Sequence, residues 1–433
     1  MLNSVLLSSA DKIIASKSPA QFTFTAQFIS AAQGSKFSFY PLMIDEMTID
    51  RNYADNYADQ IDLKMTVSPK DYALLQDQGQ DLLCIITLTY TDKYGKELFT
   101  PAPIRKQYNV MINDPRDIRN AIPDVQNYTE PSQQLSVRLV EDTVYKLRHT
   151  KINTVYQTMT VTQAIHAITQ SFGIEKIHLV PPDNTHTYDH IEIGSYQGIS
   201  SIYGFLQSTC GVYQKGVNSY ITDGVLYVYP PFETAPTYDK AVMFYQVDTG
   251  RYTGNHVFHK VDNNTTSIVV NTQPHSYDLS IAGAENVGTG FIFNRASRMT
   301  DGFTTIDTNK GAEFTQDPAL SVLLSSARTV SKGLNNLFHI HGTDNPFPQM
   351  SEVISHQASL MQVQWMHADP FQLDPCHKVT YYYDQNGKMV SKTGIMEKAV
   401  YKISRMQQMN AKHLYGCVGA ITLRLSPNQT QTL

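Results

Sequence analysis

Apolar and polar residues alternate along much of the first hundred residues. QFTFTAQFI (21–29) puts Phe22, Phe24 and Phe28 on one face of a strand. FSFYPLMIDEMTID (37–50) and QIDLKMTV (60–67) continue the same period. The rhythm breaks at SPKDYALLQDQ (68–78), where Ser68 can cap a helix, Pro69 suits its first turn and Gly79 can end it. DLLCIITLTYTDKYGKELFT then predicts a hairpin turning at Asp92–Gly95, and KQYNVMIN follows it. Strands, one short helix and more strands within ~110 residues predict a small barrel.

The segment NDPRDIRNAIPDVQNYTEP (113–131) is rich in Pro, Asn and Asp and reads as a connection. Beyond it the period changes. In TVTQAIHAITQSFG (160–173), Val161, Ile165, Ile168 and Phe172 share one helix face. Thr160 with Gln163 is a capping-box pattern, and Gly173 fits the left-handed position that closes a helix. GISSIYGFLQSTCG (198–211) predicts a second helix with Ile199, Ile202, Leu206 and Cys210 inward. It runs into the hairpin SYITDGVLYVYPP (219–231), turned at Asp223–Gly224. Residues 283–350 hold no steady period, and a loop of that length usually has a job or is disordered.

MSEVISHQASL (350–360) predicts a helix leading into strand 361–366, where Met361, Val363 and Trp365 alternate with Gln362 and Gln364. Asn386–Gly387 is a strong hairpin signal, and GAITLRL (419–425) turns Ile421, Leu423 and Leu425 inward. The expected fold class is α+β, mainly β. Two small β-barrel domains, residues 1–115 and 241–433, flank an α/β middle domain, 116–240, and the second barrel carries a long irregular insertion near 283–350.

Composition narrows the function. Charged residues make up 17% of the 433-residue chain, against roughly 25% in typical soluble domains, so much of the surface is uncharged or covered by partners. A net charge of −5 and pI near 6.3 argue against a nucleic-acid clamp, which needs a concentrated basic face. KYGKE and IRKQY read as solvated charges. Cys84, Cys210, Cys376 and Cys417 form no C-x-x-C pair, which argues against a zinc cluster or disulfide scaffold and for a reducing cytoplasm. The start, MLNSVLLSSADK, lacks the basic and apolar regions of a signal peptide, and no apolar run approaches the ~20 residues of a membrane helix. A soluble chain without its own secretion signal is expected.

Candidate chemistry is sparse. His339 and His341 in FHIHG would share a strand face, and His256 and His259 lie three apart. A metal site needs three or four ligands and a supporting shell, and neither pair has an evident third. Asp45, Glu46 and Asp50 evoke paired catalytic carboxylates, but adjacent strand residues face opposite sides, so a solvated edge is expected. The same rule separates Cys376 from His377. GTGFIFNRASR lacks the strand and helix of a dinucleotide site, and there is no G-x-S-x-G, H-E-x-x-H or P-loop. The expectation is a non-enzyme with no catalytic, cofactor-binding or metal-ligating residues and no cofactor.

The ordered set of end pieces is similar to the central baseplate hub proteins of contractile-tailed bacteriophages, relatives of which form the base of type VI secretion spikes. It comprises SEVISHQASL, strand LMQVQWM, then FQLDPCHKVTYYYDQNGKMVSKTGIMEKAVYKISR and a closing strand. In that family a leucine-x-Pro-Gly turn follows the strand. Leu373, Asp374 and Pro375 match it, while Cys376 and His377 stand where glycine is usual. The middle helices TVTQAIHAITQSFGI and SIYGFLQSTCGVY and the hairpin closing in GVLYVY also resemble the family, so the likeness covers about two-thirds of the chain as pattern.

The resemblance implies a structural virion protein with no stable membrane insertion, made in the host cytoplasm. As a homotrimer, it would present six barrels to the tail tube protein above and threefold symmetry to the central spike protein below. Other baseplate proteins would surround it, and DNA would pass through its lumen without specific binding. The alternatives are a secretion-spike base or tail-tip relative, a carbohydrate-binding tail-fibre module marked by GRYTGNH and THTYDH, and a cell-wall hydrolase.

Overall fold

The computed structural model describes residues 4–15, 21–30, 38–78, 82–91, 96–98, 102–111, 132–213, 216–231, 240–252, 256–272, 277–278, 292–297, 302–307, 359–406, 414–425 and 431–432. The linker 113–131, residues 350–358 of the helix expected at 350–360, the turn Asp92–Gly95, Gly79 and the pair His339 and His341 lie outside them, while Ser359 and Leu360 open a strand instead of ending that helix.

The chain begins with α1 (Ser4–Ile14), β1 (Gln21–Ser30), β2 (Ser38–Phe39), β3 (Met43–Asn52), β4 (Gln60–Val67), α2 (Pro69–Gln78), β5 (Leu82–Thr91), β6 (Ile104–Met111) and β7 (Gln133–Glu141). The middle comprises α3 (Asp142–Leu147), β8 (Lys151–Thr160), α4 (Val161–Ser171), β9 (Lys176–Leu179), β10 (Thr187–Gly198), α5 (Ile202–Thr209), β11 (Asn218–Thr222) and β12 (Val225–Tyr229). There follow β13 (Ala241–Gln246), β14 (His259–Asp262), β15 (Thr265–Thr272), β16 (Tyr277–Asp278), β17 (Ile292–Ser297) and β18 (Gly302–Asp307). The chain closes with β19 (Ser359–Met366), β20 (Lys378–Gln385), β21 (Lys388–Arg405), β22 (Leu414–Leu425) and β23 (Gln431–Thr432). The protein is mainly β.

Strands from both ends join one 16-stranded sheet. Its pairings run in two circuits. The first passes β1, β5, β6, β7, β4, β3, β21 and β22 and returns to β1. The second passes β13, β20, β21, β22, β19 and β15 and returns to β13. Both use the β21–β22 pair. Each has one thin seam: β1 meets β22 only at Phe22–Tyr415 and Thr23–Leu414, and β15 meets β19 only at Asn271–Gln364 and Thr272–Val363.

Alternation explains what lies between the strands. Phe22, Phe24 and Phe28 are buried with Leu63, Met65, Cys84, Val137 and Ile403, while Val363 and Trp365 pack with Tyr381, Ile421 and Leu423. Met361 is only half-buried. Where the sequence gives a local turn code, the backbone follows it. Ser68 accepts a hydrogen bond from the Asp71 N–H at 3.2 Å, capping α2. Thr160 and Gln163 form the reciprocal capping box of α4. Both hairpin turns have positive φ at two successive residues, 52° and 71° at Asp223–Gly224 and 55° and 81° at Asn386–Gly387, the primed geometry that matches strand twist.

Other parts differ from expectation. The β5 hairpin continues only as a Thr91–Glu97 bridge; β5 pairs along its whole length with β1 and over Leu83–Leu88 with β6. Strand β7 enters the sheet between β4 and β6, so the sheet takes in residues beyond 115. The helix expected over 198–211 is confined to Ile202–Thr209, because β10 occupies the chain up to Gly198. Inside the segment expected to be irregular, β17 and β18 pair over their whole length. Helix α1, which the alternation does not foretell, buries Leu6, Ala10, Ile13 and Ile14 against β13, β14, β15 and β20.

The middle elements bury a separate apolar cluster between α4, α5, the β8–β10 ribbon and the β9–β12–β11 sheet. Ala58, Cys376 and Ile395 reach into that cluster from the large sheet and its loops.

Candidate functional site

The chemistry-bearing residues converge where the middle unit meets the large sheet. Arg51 follows Met47 and Ile49 on the inward row of β3 and is 2% exposed. Its Nε donates to Asp59 Oδ2 at 3.1 Å and its Nη1 to the Leu373 carbonyl at 2.9 Å. Tyr220 of β11 donates to the other Asp59 oxygen at 2.8 Å and meets Tyr53 edge-on at 4.6 Å. The guanidinium also lies 5.7 Å from the Tyr401 ring centroid. Burial works to discharge Arg51, but the Asp59 carboxylate together with Tyr53, Tyr401 and Tyr220 more than offsets it, so the group stays charged. A buried pair of this kind requires both partners. Next to it, the Ile221 N–H donates to the Tyr57 carbonyl at 2.8 Å. The group ties β3, the 373 loop and β11 together. Removing the Tyr220 hydroxyl (Tyr220→Phe) strips a hydrogen bond from a buried carboxylate and is expected to cost about 1.5–3 kcal/mol. Chemical denaturation checks this; an unchanged midpoint would show that the contact is idle.

A second tie holds the tip of the β11–β12 hairpin. Glu141, at the end of β7, accepts the Asp223 N–H at 2.9 Å and the Gly224 N–H. Lys106 of β6 pairs with the Asp223 carboxylate and lies 4.4 Å from the Phe371 ring centroid. Burial pushes the Glu141 carboxyl up to about 7, against the hydrogen bonds from Gly224 and Asp223.

The carboxylates Asp45, Glu46 and Asp50 do not lie on an edge, since β3 pairs with β21 on one side and β4 on the other. Nor do Asp45 and Glu46 face opposite ways. A bulge between Ile44 and Glu46 breaks the alternation, so both reach β4 residues on the same face. Thr66 donates to Asp45 at 3.1 Å, and Glu46 sits 2.7 Å from Lys402 and 3.7 Å from Lys64. The Lys402 hydrogen bond holds the Glu46 carboxyl below its ordinary range. Asp50 pairs with Lys398 at 3.3 Å and Asp62 with Arg138 at 3.2 Å. These are structural ion pairs rather than an acid–base couple.

Cys376 and His377 are in a turn rather than a strand, and both are buried. Cys376 has φ +66°. That is the left-handed conformation glycine adopts freely, and it occurs at the position where the resembling family carries glycine. His259 packs edge-on against Trp365 at 5.3 Å, whereas His256 faces Tyr252 at 6.3 Å. Among the described residues no group of three or more His, Cys, Asp or Glu could hold a metal ion. The four cysteines are buried free thiols. Arg51, Asp59, Glu141 and Tyr220 escape sequence reasoning, though a charge at the inward parity of β3 is a readable signal for Arg51.

Burial lowers His259 to about 4, and burial and Lys240 do the same to His377. Both are neutral when folded and take up protons on unfolding below about 6.5. Their contribution is therefore present above pH 6.5 and is lost as pH falls toward 4. Glu141 acts oppositely: its contribution is present below its unfolded value and is lost as pH rises through 7. With two groups against one, the melting temperature is expected to fall between pH 6.5 and 4.5. The fall should be shallower in His377→Gln and steeper in Glu141→Gln; identical slopes in all three chains would contradict the assignment.

The circuits and their junction define a mainly β protein in which an α/β unit is clamped onto a continuous wall. Residues 13–228 match the model of the family described as Bacteriophage PBS1 gene 109 protein. No curated protein sequence matches the chain. Among solved structures it is similar to the tail protein from Neisseria meningitidis MC58, at 10% identity over 93% of this chain and 96% of that one, with a TM-score of 0.46. It is similar to the 43 kDa tail protein of prophage MuSo2 from Shewanella oneidensis, at 12% identity over 93% and 97%, with a TM-score of 0.43. A third is the E. coli c3393 protein, described as a type VI secretion component similar to T4 tail proteins gp27 and gp5, at 10% identity over 93% and 77% and a TM-score of 0.41. Scores of this size do not fix how this chain's strands are arranged.

Proposed function

We propose that the chain is a structural component of a phage tail, the hub of its baseplate, and that it works as a homotrimer. The observation that carries this reading is the pair of strand circuits sharing β21–β22 within one chain. Read as two barrels, three copies supply six wall units around a threefold axis, adapting a sixfold tail tube above to a threefold central spike below. The match to a bacteriophage family over residues 13–228 supports a place in the virion. In this reading the barrels are wall, with β8–β12 and their helices as the middle domain, and the chain carries no catalytic role.

DNA leaves through the lumen without specific binding. A basic wall would hold phosphates, and the net charge of −5 agrees with a wall that does not. The solvent face of β3, β4, β7 and β21 agrees as well, since four of its cations, Lys64, Arg138, Lys398 and Lys402, are paired with carboxylates.

Immunolabelling of purified particles tests this placement. Label is expected at the tail end away from the capsid. Label on the capsid, or a chain present only in the lysate of infected cells, would overturn the reading. A second expectation is that chelator leaves the melting temperature unchanged; a large drop would implicate His339 and His341.

A further inference from the structure

The large apolar side chains exposed among the described residues are Val5, Tyr40, Leu42, Val155, Tyr196 and Val261. They fall into three local pairs. Tyr40 and Leu42 stand between β2 and β3, Val155 and Tyr196 on the β8–β10 ribbon, and Val5 and Val261 on α1 and on β14, against which α1 packs.

The first pair borders an unusual face. Strands β1 and β5 pair along their whole length and contain no charged residue. Their outward rows, among them Gln27, Ile29, Leu83 and Ile85, are half-buried except at the exposed Thr25. Across the same circuit, β3, β4, β7 and β21 present the ion pairs described above. One side of the wall is therefore charged and the other neutral with apolar character, and charge depletion marks interface cores. Beside the neutral face, β22 pairs with β1 up to Thr23 and β2 from Phe28, leaving residues 24–27 without a neighbour on that edge among the described residues. A cavity of about 310 Å³ opens there, lined by Phe24, Tyr40, Leu42, Met43, Arg405 and Tyr415.

The other pair marks the opposite end of the sheet order. Strand β14 is terminal and pairs only with β15 among the described residues. An edge strand invites pairing and is normally protected. The neutral face belongs to the first circuit, and the α1–β14 edge borders the second. A head-to-tail ring of identical chains covers both surfaces at once, whereas a twofold contact of the neutral face with itself leaves the other bare.

We propose that the β1–β5 face with Tyr40 and Leu42 receives the α1–β14 edge of a second copy of this chain. This names the contact within the trimeric reading above and rests on it.

Cross-linking tests it with little background, because the four native cysteines are buried. Full-length Leu42→Cys and Val261→Cys chains, mixed at high concentration with a short thiol–thiol cross-linker, are expected to give a covalent pair that neither gives alone. One chain carrying both substitutions should give a ladder ending at three. Self-linking of the Leu42→Cys chain, or no product in the mixture, would overturn the proposal. In a second arm, Tyr40→Glu with Leu42→Glu should weaken assembly at least tenfold at an unchanged melting temperature, while Tyr196→Glu leaves assembly intact. A threefold assembly indifferent to the charges at 40 and 42 sinks this contact and spares the trimer. An assembly that is not threefold sinks the trimer itself.

Discussion

Gly394→Ala is expected to unfold the protein or leave it barely stable. Gly394 lies in β21 opposite Leu425 of β22, where an added Cβ would stand 2.0 Å from the Arg424 carbonyl oxygen and 2.8 Å from the Leu425 Cα. Both obstacles are backbone, so no side chain can swing aside. The strands would have to part within the one pair that both circuits use. Ordinary overpacking costs about 1–3 kcal/mol, and this site should exceed that range. The nearby bulge at Glu397 limits relief, because the Glu397 carboxylate is paired with Arg424 and its carbonyl accepts the Tyr53 N–H at 3.0 Å. Fluorescence of Trp365, the chain's only tryptophan, reports the unfolding. A variant with the wild-type midpoint would show that β21 and β22 do not approach so closely.

Trp365→Ala should cost about 3–5 kcal/mol, the usual range for emptying a large core site. The indole is fully buried in β19, edge-on to His259 at 5.3 Å and to Tyr401 at 6.4 Å. It therefore joins the strand borrowed from the first circuit to β14, at the rim of the second. The truncation leaves a cavity enclosed by sheet, which has little freedom to collapse. Calorimetry is the suitable readout, since the substitution removes the fluorophore. An unshifted melting temperature would contradict the strand's inward assignment.

The legible parts of this fold are those with a local physical code. Two-residue alternation exposed β1, β4 and β19, because a wall with one buried face must alternate. Thr160 with Gln163, Asp223–Gly224 and Asn386–Gly387 were readable because capping and left-handed turns depend on a few neighbouring residues. The sharing of β21 and β22 between circuits was not readable, since pairing between residues as distant as Ile49 and Tyr401 has no local signature. The β8–β10 ribbon was hidden for a different reason: its open face is polar apart from Val155 and Tyr196, and Thr158 and Tyr196 interrupt it with positive φ.

At the start of β3, the bulge at Asp45 defeated the rule of alternating faces. Cys376 shows the reverse case, in which a departure from an expected glycine kept the glycine's backbone conformation. The Arg51–Asp59–Tyr220 group joins residues from β3, its following loop and β11. Only the inward parity of Arg51 could have announced it.

The central claim is that three copies of this chain surround one axis as a wall. The most direct measurement is the rotational symmetry and copy number in averaged end-on electron-microscope images of the chain assembled with its spike. The expected image is a closed ring of three 48.7 kDa chains with six similar lobes around a lumen. A ring of two or four copies, or a threefold ring whose lumen is lined by unpaired lysine and arginine, would contradict the account.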